Sequence, residues 1–220
     1  MSTFHYDPPR EPFLDILFED EHIMVVNKPS GILSVPGKAV EHFDSIASRV
    51  KSLYPEGGAV HRLDMGTSGV LVVAKTAQAT SALGRQFQDR KTEKYYYAWV
   101  WGQMEKLEGT VDLPLCVDWE NRPRQQVNFE HGRRAITHYI CQRVEADRSL
   151  VKLKPITGRS HQLRVHMMEL GHPILGDHLY APPEAQAAAP HLYLHAAMLS
   201  FNHPLSGERL SFEAPAPFPL

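Results

Sequence analysis

The segment His61-Arg62-Leu63-Asp64-Met65-Gly66-Thr67-Ser68-Gly69 puts a carboxylate in a polar turn at a strand end, beside an arginine and ahead of two glycines. Two readings of Asp64 stand side by side. It is a turn aspartate whose side chain caps the amides of Gly66 to Ser68, or it is a carboxylate kept for chemistry. Paired with His61, His161 or His166, such a carboxylate would belong to a metal-dependent hydrolase. The chain holds 13 histidines, seven of them between His161 and His203, so a metal has to be considered. The spacing speaks against one. His161 and His166 are five apart, which is about 140° around a helix and opposite faces of a strand, so neither geometry makes an adjacent ligand pair. There is no H-E-x-x-H and no Cys–His pairing, and no metal is expected.

Other chemistries lack their motifs. No G-x-G-x-x-G follows a strand, no P-loop is present, and no G-x-S-x-G elbow is found.

Around this segment the chain alternates short apolar runs with turn clusters. Ile23 to Val26 reads as a buried strand ended by Asn27-Lys28-Pro29-Ser30-Gly31. Residues 44–53 fit a helix with Ile46, Val50 and Leu53 on one stripe. Residues 59–63 and 69–75 read as strands on either side of the Asp64 turn. Thr76 is placed to cap a helix reaching about Asp89, with Ala79, Leu83 and Phe87 aligned. Lys94 to Trp101, KYYYAWVW, has strong strand composition, and alternation puts Tyr96 on the face opposite Tyr95 and Tyr97. Residues 135–145 and 150–156 read as a strand pair. A helix is expected from Thr157 or Ser160 through Leu170, closed by Gly171 before Pro173. A short helical turn is expected within 181–190, and late strands over 191–201 and 209–212. Many strands, few helices and little βαβ alternation predict an α+β domain on a mixed, mostly antiparallel sheet. The prolines at 8, 9 and 12 favour an extended N-terminal arm over residues 1–20, ahead of a single domain over 21–220.

Length and composition bound the partners. A chain of 220 residues suits one domain and buries roughly 70% of its unfolded surface without a disulfide or metal staple. Cys116 and Cys141 are too few for a disulfide framework or a thiolate zinc site. No apolar run approaches a membrane span, and the N-terminus lacks the features of a secretory signal, so the expected compartment is the cytoplasm. The net charge of −2 argues against bulk binding of polyanions, but the charge is uneven. Residues 1–22 carry six acids and one base. Residues 148–166 carry five bases and no acid, and residues 122–134 carry four arginines against Glu130. Two such clusters point to a local surface for a polyanion.

Four segments, in order, resemble the RluA family of pseudouridine synthases. HRLDMGTSG is similar to the family's catalytic H-R-L-D-x-x-T-S-G. Asn27-Lys28-Pro29-Ser30-Gly31 resembles its K-P-x-G turn, and Lys94-Tyr95-Tyr96 its K-x-Y strand. Gly158 to Arg164 and Gly171 to Asp177 resemble its G-R-x-H-Q-[IL]-R and G-x-P-I-x-G-D blocks. The resemblance spans roughly residues 20–215 and is to the short members that carry no S4-like domain in front. It implies an enzyme that isomerises uridine in RNA without metal or cofactor. The short members' targets are uridine 32 in certain tRNA anticodon loops and uridine 746 of 23S ribosomal RNA.

The resemblance also assigns roles. Asp64 becomes the essential aspartate and Arg164 the arginine that pairs with it. Tyr96 becomes the tyrosine that stacks on uracil, and Arg62 the arginine that fills the gap left by the extruded base. Leu163 and Ile156 would supply an apolar pocket wall. Lys28, Arg124, Arg133, Arg159 and His161 would contact the RNA. A monomer is expected. The competing expectation is an RNA-binding module or chaperone of the same fold without chemistry, against which the intact Asp64, Tyr96 and Arg164 set argues.

Overall fold

The computed structural model describes residues 6–220; the first five residues of the expected N-terminal arm lie outside them. The described residues form two compact units, a subdivision that the expected single domain over 21–220 does not include. One takes the chain up to Glu93 together with Ala196–Pro217, the other takes Lys94–His195 with Phe218–Leu220. In chain order the first contains β1 (Ile16–Glu19), β2 (Ile23–Lys28), α1 (Ile46–Leu53), β3 (Gly58–Ala59), β4 (Ser68–Ala74) and α2 (Ala77–Gln88). The second follows with β5 (Glu93–Trp101), β6 (Glu108–Asp112), β7 (Leu115–Val117), β8 (Gln125–Val127), β9 (Ile136–Val144), β10 (Arg148–Pro155), α3 (Gln162–Glu169) and α4 (Pro183–Ala187). The chain then returns to the first unit through β11 (Leu194–Asn202) and β12 (Arg209–Glu213).

In the first unit the strands run in the order β1-β2-β4-β11, with β3 added on β4 and β12 on β11. The pairs β1/β2, β2/β4, β3/β4 and β11/β12 are antiparallel. Every residue of β4 is buried, as are Ile23 to Val26 of β2, which explains their continuous apolar runs: both sheet faces are covered. The core joins Ile23, Val25, Val70, Val72, Leu83, Leu199 and Phe201. Thr76 caps α2 as expected, its side chain accepting from the Ala79 amide. A reciprocal box of Ser45 and Ser48 starts α1, with the Ser48 amide donating to Ser45 Oγ at 3.1 Å and the Ser45 amide to Ser48 Oγ at 2.8 Å.

One α1 residue ties down the chain before β1. Arg49 is buried, and its guanidinium donates to the carbonyls of Pro9 (2.7 Å) and Phe13 (2.9 Å) and to both oxygens of Asp44 (2.8 and 2.7 Å). The segment read as an extended arm to residue 20 is thus fastened at two points and becomes strand at Ile16. Arg49→Met should lower the unfolding free energy by about 2–4 kcal/mol, because it removes the buried guanidinium that pairs with Asp44 and holds the Pro9 and Phe13 carbonyls. It should also open the segment near Pro9 to proteases. Urea melts and limited proteolysis check this; an unchanged midpoint contradicts it.

In the second unit the order is β5-β10-β9-β6, antiparallel throughout, and β7/β8 forms a separate hairpin. Trp99 fills the centre of β5, its indole donating to the Pro219 carbonyl at 2.7 Å. The helix expected from Thr157 or Ser160 begins at Gln162. The reason is local: Gln162 Oε1 accepts from Thr157 Oγ1 (2.7 Å) and from the Arg159 amide (3.0 Å), and His161 sits at φ 54°. The strand expected over 59–63 is reduced to Gly58–Ala59. Leu63 spends its amide and carbonyl on Ser34 Oγ (2.9 and 2.7 Å) instead of on a neighbouring strand. The α+β class on a mostly antiparallel framework holds.

Candidate active site

Within the first unit, Asp64 sits half-buried in the loop between β3 and β4. The loop is held by main-chain groups, one residue after another. Ser34 clamps Leu63 from both sides. The Asp64 carbonyl accepts from the Thr67 amide at 3.0 Å, and the Met65 carbonyl from the Gly31 amide at 2.9 Å. Ser30 Oγ donates to the Gly66 carbonyl at 2.8 Å. The Asn27-to-Gly31 turn therefore exists to fix the Asp64 loop, a coupling that links two of the motifs read from sequence. Gly69 closes the loop: its φ is +112°, and a Cβ there would lie 2.2 Å from the Ala196 carbonyl oxygen on β11. Arg62 is exposed two residues before Asp64. His61 is committed to packing, stacked on Phe87 at 4.3 Å while Nε2 accepts from the Val72 amide at 3.1 Å.

Lys28 corrects an expectation. It was expected to contact RNA, but it is fully buried, and its Nζ donates to the carbonyls of Ile32 (2.7 Å), Pro29 (3.0 Å) and Met65 (3.1 Å). All three ammonium donors are used, so Lys28 is an internal tie between the turn and the Asp64 loop. Burial pulls its pKa from 10.5 to about 7, with the Asp64 carboxylate pulling the other way. From pH 7 to 10.5 the unfolded chain holds a proton that the folded protein sheds, so this group makes stability rise with pH across that window. Compared with Lys28→Met, the wild type should gain up to about 1.4 kcal/mol per pH unit there. Denaturant melts at pH 7, 8 and 9 check it; a constant difference between the two proteins contradicts it.

The second unit holds Tyr96, Ile156, Leu163 and Arg164. Tyr96 is buried and paired with Leu153 across β5/β10. The opposite face carries Tyr95, whose ring lies 4.3 Å from Lys152 Nζ and whose hydroxyl accepts from Lys154 Nζ at 3.1 Å. The expected alternation is therefore present. Leu163 is buried in α3, and Ile156 is half-buried just past β10.

Arg164 is fixed by a residue that received no role from the sequence. Asp177, wholly buried, accepts from Arg164 Nη2 at 2.7 Å (Oδ1) and Nε at 2.8 Å (Oδ2), a two-pronged fit that sets the guanidinium plane. Asp177 is itself held because Oδ1 also accepts from the amides of Leu179 (3.0 Å) and Tyr180 (3.2 Å). Tyr180 then gathers three of the expected residues. Its ring lies 5.0 Å from the Arg164 guanidinium and 5.3 Å from that of Arg124, and its hydroxyl shares a 2.6 Å bond with His161 Nδ1. The same hydroxyl accepts from the Gln125 amide at 2.8 Å. Arg124 Nε is buried with no hydrogen-bond partner among the described residues. The signal for Asp177 was present as the end of the G-x-P-I-x-G-D block; Tyr180, three residues beyond it, and the partners of both carried none.

Arg133 is exposed, and Arg159 Nε donates to the Arg134 carbonyl at 3.2 Å. The hairpin adds two residues that sequence reasoning passed over. Trp119 and Phe129 are largely exposed, and the Arg122 guanidinium lies 3.5 Å from the Trp119 ring. Aromatic faces beside arginines are the usual stacking surface for unpaired bases. His166 is not available as a ligand: it is buried, Nε2 faces the Leu113 carbonyl at 3.1 Å, Nδ1 faces Thr137 Oγ1 at 2.9 Å, and burial pulls its pKa down. Among the described residues no group of three His, Cys, Asp or Glu side chains could hold a metal ion.

Comparison with known proteins gives this arrangement its setting. The family described as RNA pseudouridylate synthase matches residues 22–169. The chain is 57% identical to the dual-specificity RNA pseudouridine synthase RluA of Escherichia coli (strain K12), over 99% of this chain and 100% of that protein. It is also 57% identical to the protein of the same name from Vibrio cholerae, over 94% of this chain and 84% of that protein. Among solved structures, human RNA pseudouridylate synthase domain containing 1 superposes with a TM-score of 0.77 at 28% identity, covering 93% of this chain and 84% of that one. The match covers both the Asp64 loop and the Arg164 helix, and the chain belongs to the RNA pseudouridylate synthase family.

Proposed function

We propose that this enzyme isomerises uridine 32 in tRNA anticodon loops and uridine 746 in a 23S ribosomal RNA hairpin, with Asp64 as the group that acts on the sugar. The observation that carries this reading is the Asp64 turn, held residue by residue through its main chain within a protein of this family. The reaction breaks N1–C1′, turns the uracil, joins C5 to C1′, and passes the C5 proton out as N1 gains one. Nothing is oxidised and no water is consumed, so the reaction itself calls for no cofactor. The hard step leaves C1′ electron-poor, as in glycoside cleavage. A carboxylate meets that need by attacking C1′ or by taking the C2′ proton.

The remaining residues follow from what the base must undergo. Extrusion from a stacked loop costs a few kcal/mol. Arg62, exposed beside the Asp64 loop, stacks in the vacated place. Tyr96 lies against the uracil, with Leu163 and Ile156 as the apolar wall. Arg164, its guanidinium plane set by Asp177, serves as the cation of the catalytic set. Arg124, Arg133, Arg159 and His161 meet RNA phosphates, and Trp119 of the hairpin stacks on a loop base. The protein works as a monomer in the cytoplasm; among the described residues no helix is long and apolar enough to cross a membrane.

The test is to map pseudouridines in total RNA from cells with and without this protein. Loss of signal at both positions, restored by the wild-type gene, is expected. Retention of both signals without the protein contradicts the target assignment.

A further inference from the structure

Lys94 stands at the start of β5, two residues before Tyr96 and therefore on the same strand face. Its surroundings suit a ligand. Desolvation pulls its ammonium below the ordinary lysine range, and no carboxylate offsets that burial. Among the described residues its ammonium takes part in no hydrogen bond or ion pair, in contrast to Lys28, whose three donors are all used. A half-buried, desolvated ammonium with no carboxylate beside it is costly to the free protein, so it calls for an explanation in function.

The neighbour across from it supplies one. The position of a Cβ on Gly158 would lie 3.5 Å from Lys94 Nζ. Gly158 is exposed and heads the Gly158-to-Arg164 block, so the ammonium opens onto solvent beside main chain with no side chain in the way. Arg159, next along the chain, adds a second positive group. Along β5 the Lys94 and Tyr96 side chains are spaced by about 6.5 Å, a separation that suits the base and the phosphate of one nucleotide.

We propose that Lys94 is a positioning residue that binds a backbone phosphate flanking the target uridine, through the gap at Gly158, while Tyr96 of the same strand face meets the base. The phosphate supplies a counter-charge to the half-buried ammonium and is fixed at a set distance from the base site. The proposal rests on the reading of Tyr96 above.

The experiment pairs protein and RNA changes. A target stem-loop is made with a neutral methylphosphonate at the phosphate 5′ or 3′ of the uridine. Affinity and single-turnover rate are measured for wild type, Lys94→Met and Lys94→Arg. For wild type, one of the two substitutions should weaken binding roughly tenfold. Lys94→Met should weaken binding to the unmodified RNA by a similar factor, lower the salt slope by about 1, and lose nothing further with that methylphosphonate. Lys94→Arg should restore most of the affinity. Free Lys94→Met should melt no lower than wild type, since it removes a desolvated charge.

The wild-type arm stands whatever the variant's folding: if neither neutral linkage weakens wild-type binding, the proposal is overturned. It is also overturned if both proteins respond equally to the linkage. Pseudouridine formation by wild type on unmodified RNA reads the functional assignment separately, because the phosphate contact is scored by binding alone.

Discussion

Asp64→Asn should bind a target stem-loop within about tenfold of wild type and yet form pseudouridine at least ~10⁴-fold more slowly. The expectation follows from how the loop is built. Its shape depends on main-chain bonds from Ser30, Ser34, Gly31, Thr67 and Lys28 to residues 63–66, none of which uses the carboxylate. The carboxamide therefore sits in the same loop, but it neither attacks C1′ nor accepts the C2′ proton. With binding spread, as proposed, over arginines outside this loop, it should survive. Filter binding and single-turnover assays on the same RNA make the comparison. Turnover equal to wild type would remove Asp64 from the mechanism.

The second large effect is expected from Asp177→Asn. Arg164 is 9% exposed at its side chain and Asp177 is 0% exposed, so the pair is desolvated and each needs the other. An asparagine would keep one acceptor and turn an amide donor toward the guanidinium. Removing one partner of such a pair typically costs 3–5 kcal/mol of stability. Below the lowered melting temperature, kcat should still fall by about 10²-fold, because the guanidinium plane is no longer set. RNA affinity should change by only a few-fold, which separates loss of positioning from loss of the fold. A folded Asp177→Asn with wild-type kcat would show that Arg164 acts without this brace.

These two residues differ in how much of their setting lies in contiguous sequence. Asp64 stood out in the sequence because the motif around it, His61 to Gly69, is contiguous. The core strands β2 and β4 were legible for a similar reason: both faces are buried, so the apolar run is continuous. Lys28 was misplaced, because a lysine in a Pro-Gly turn looks like surface charge. Its burial comes from the Asp64 loop 37 residues away, through the Met65 carbonyl. Asp177 was visible as part of a motif, but its role depends on Arg164 in the first turn of α3. β1, β6, β7 and β8 were missed, being three to five residues long; β6 buries only Val111 and so offers no period-two signal. The division into two units was hidden because the chain leaves the first at Lys94 and rejoins it at Ala196.

The charge pattern is now easier to place. The basic cluster at 122–134 falls on and beside the β7/β8 hairpin, where Arg122 covers Trp119 and Arg124 covers Tyr180. On the proposed function, that local surface, not the net charge of −2, is what an RNA loop would meet.

The central claim is isomerisation without hydrolysis. The direct measurement is a single-turnover reaction on a stem-loop carrying 5-tritiated uridine at the target. Released tritium, free uracil and pseudouridine are counted together, with and without excess EDTA. One tritium released per pseudouridine formed, with no free uracil and no effect of EDTA, is the predicted result. Free uracil in proportion to turnover, or a rate lost with EDTA and restored by zinc, would contradict it.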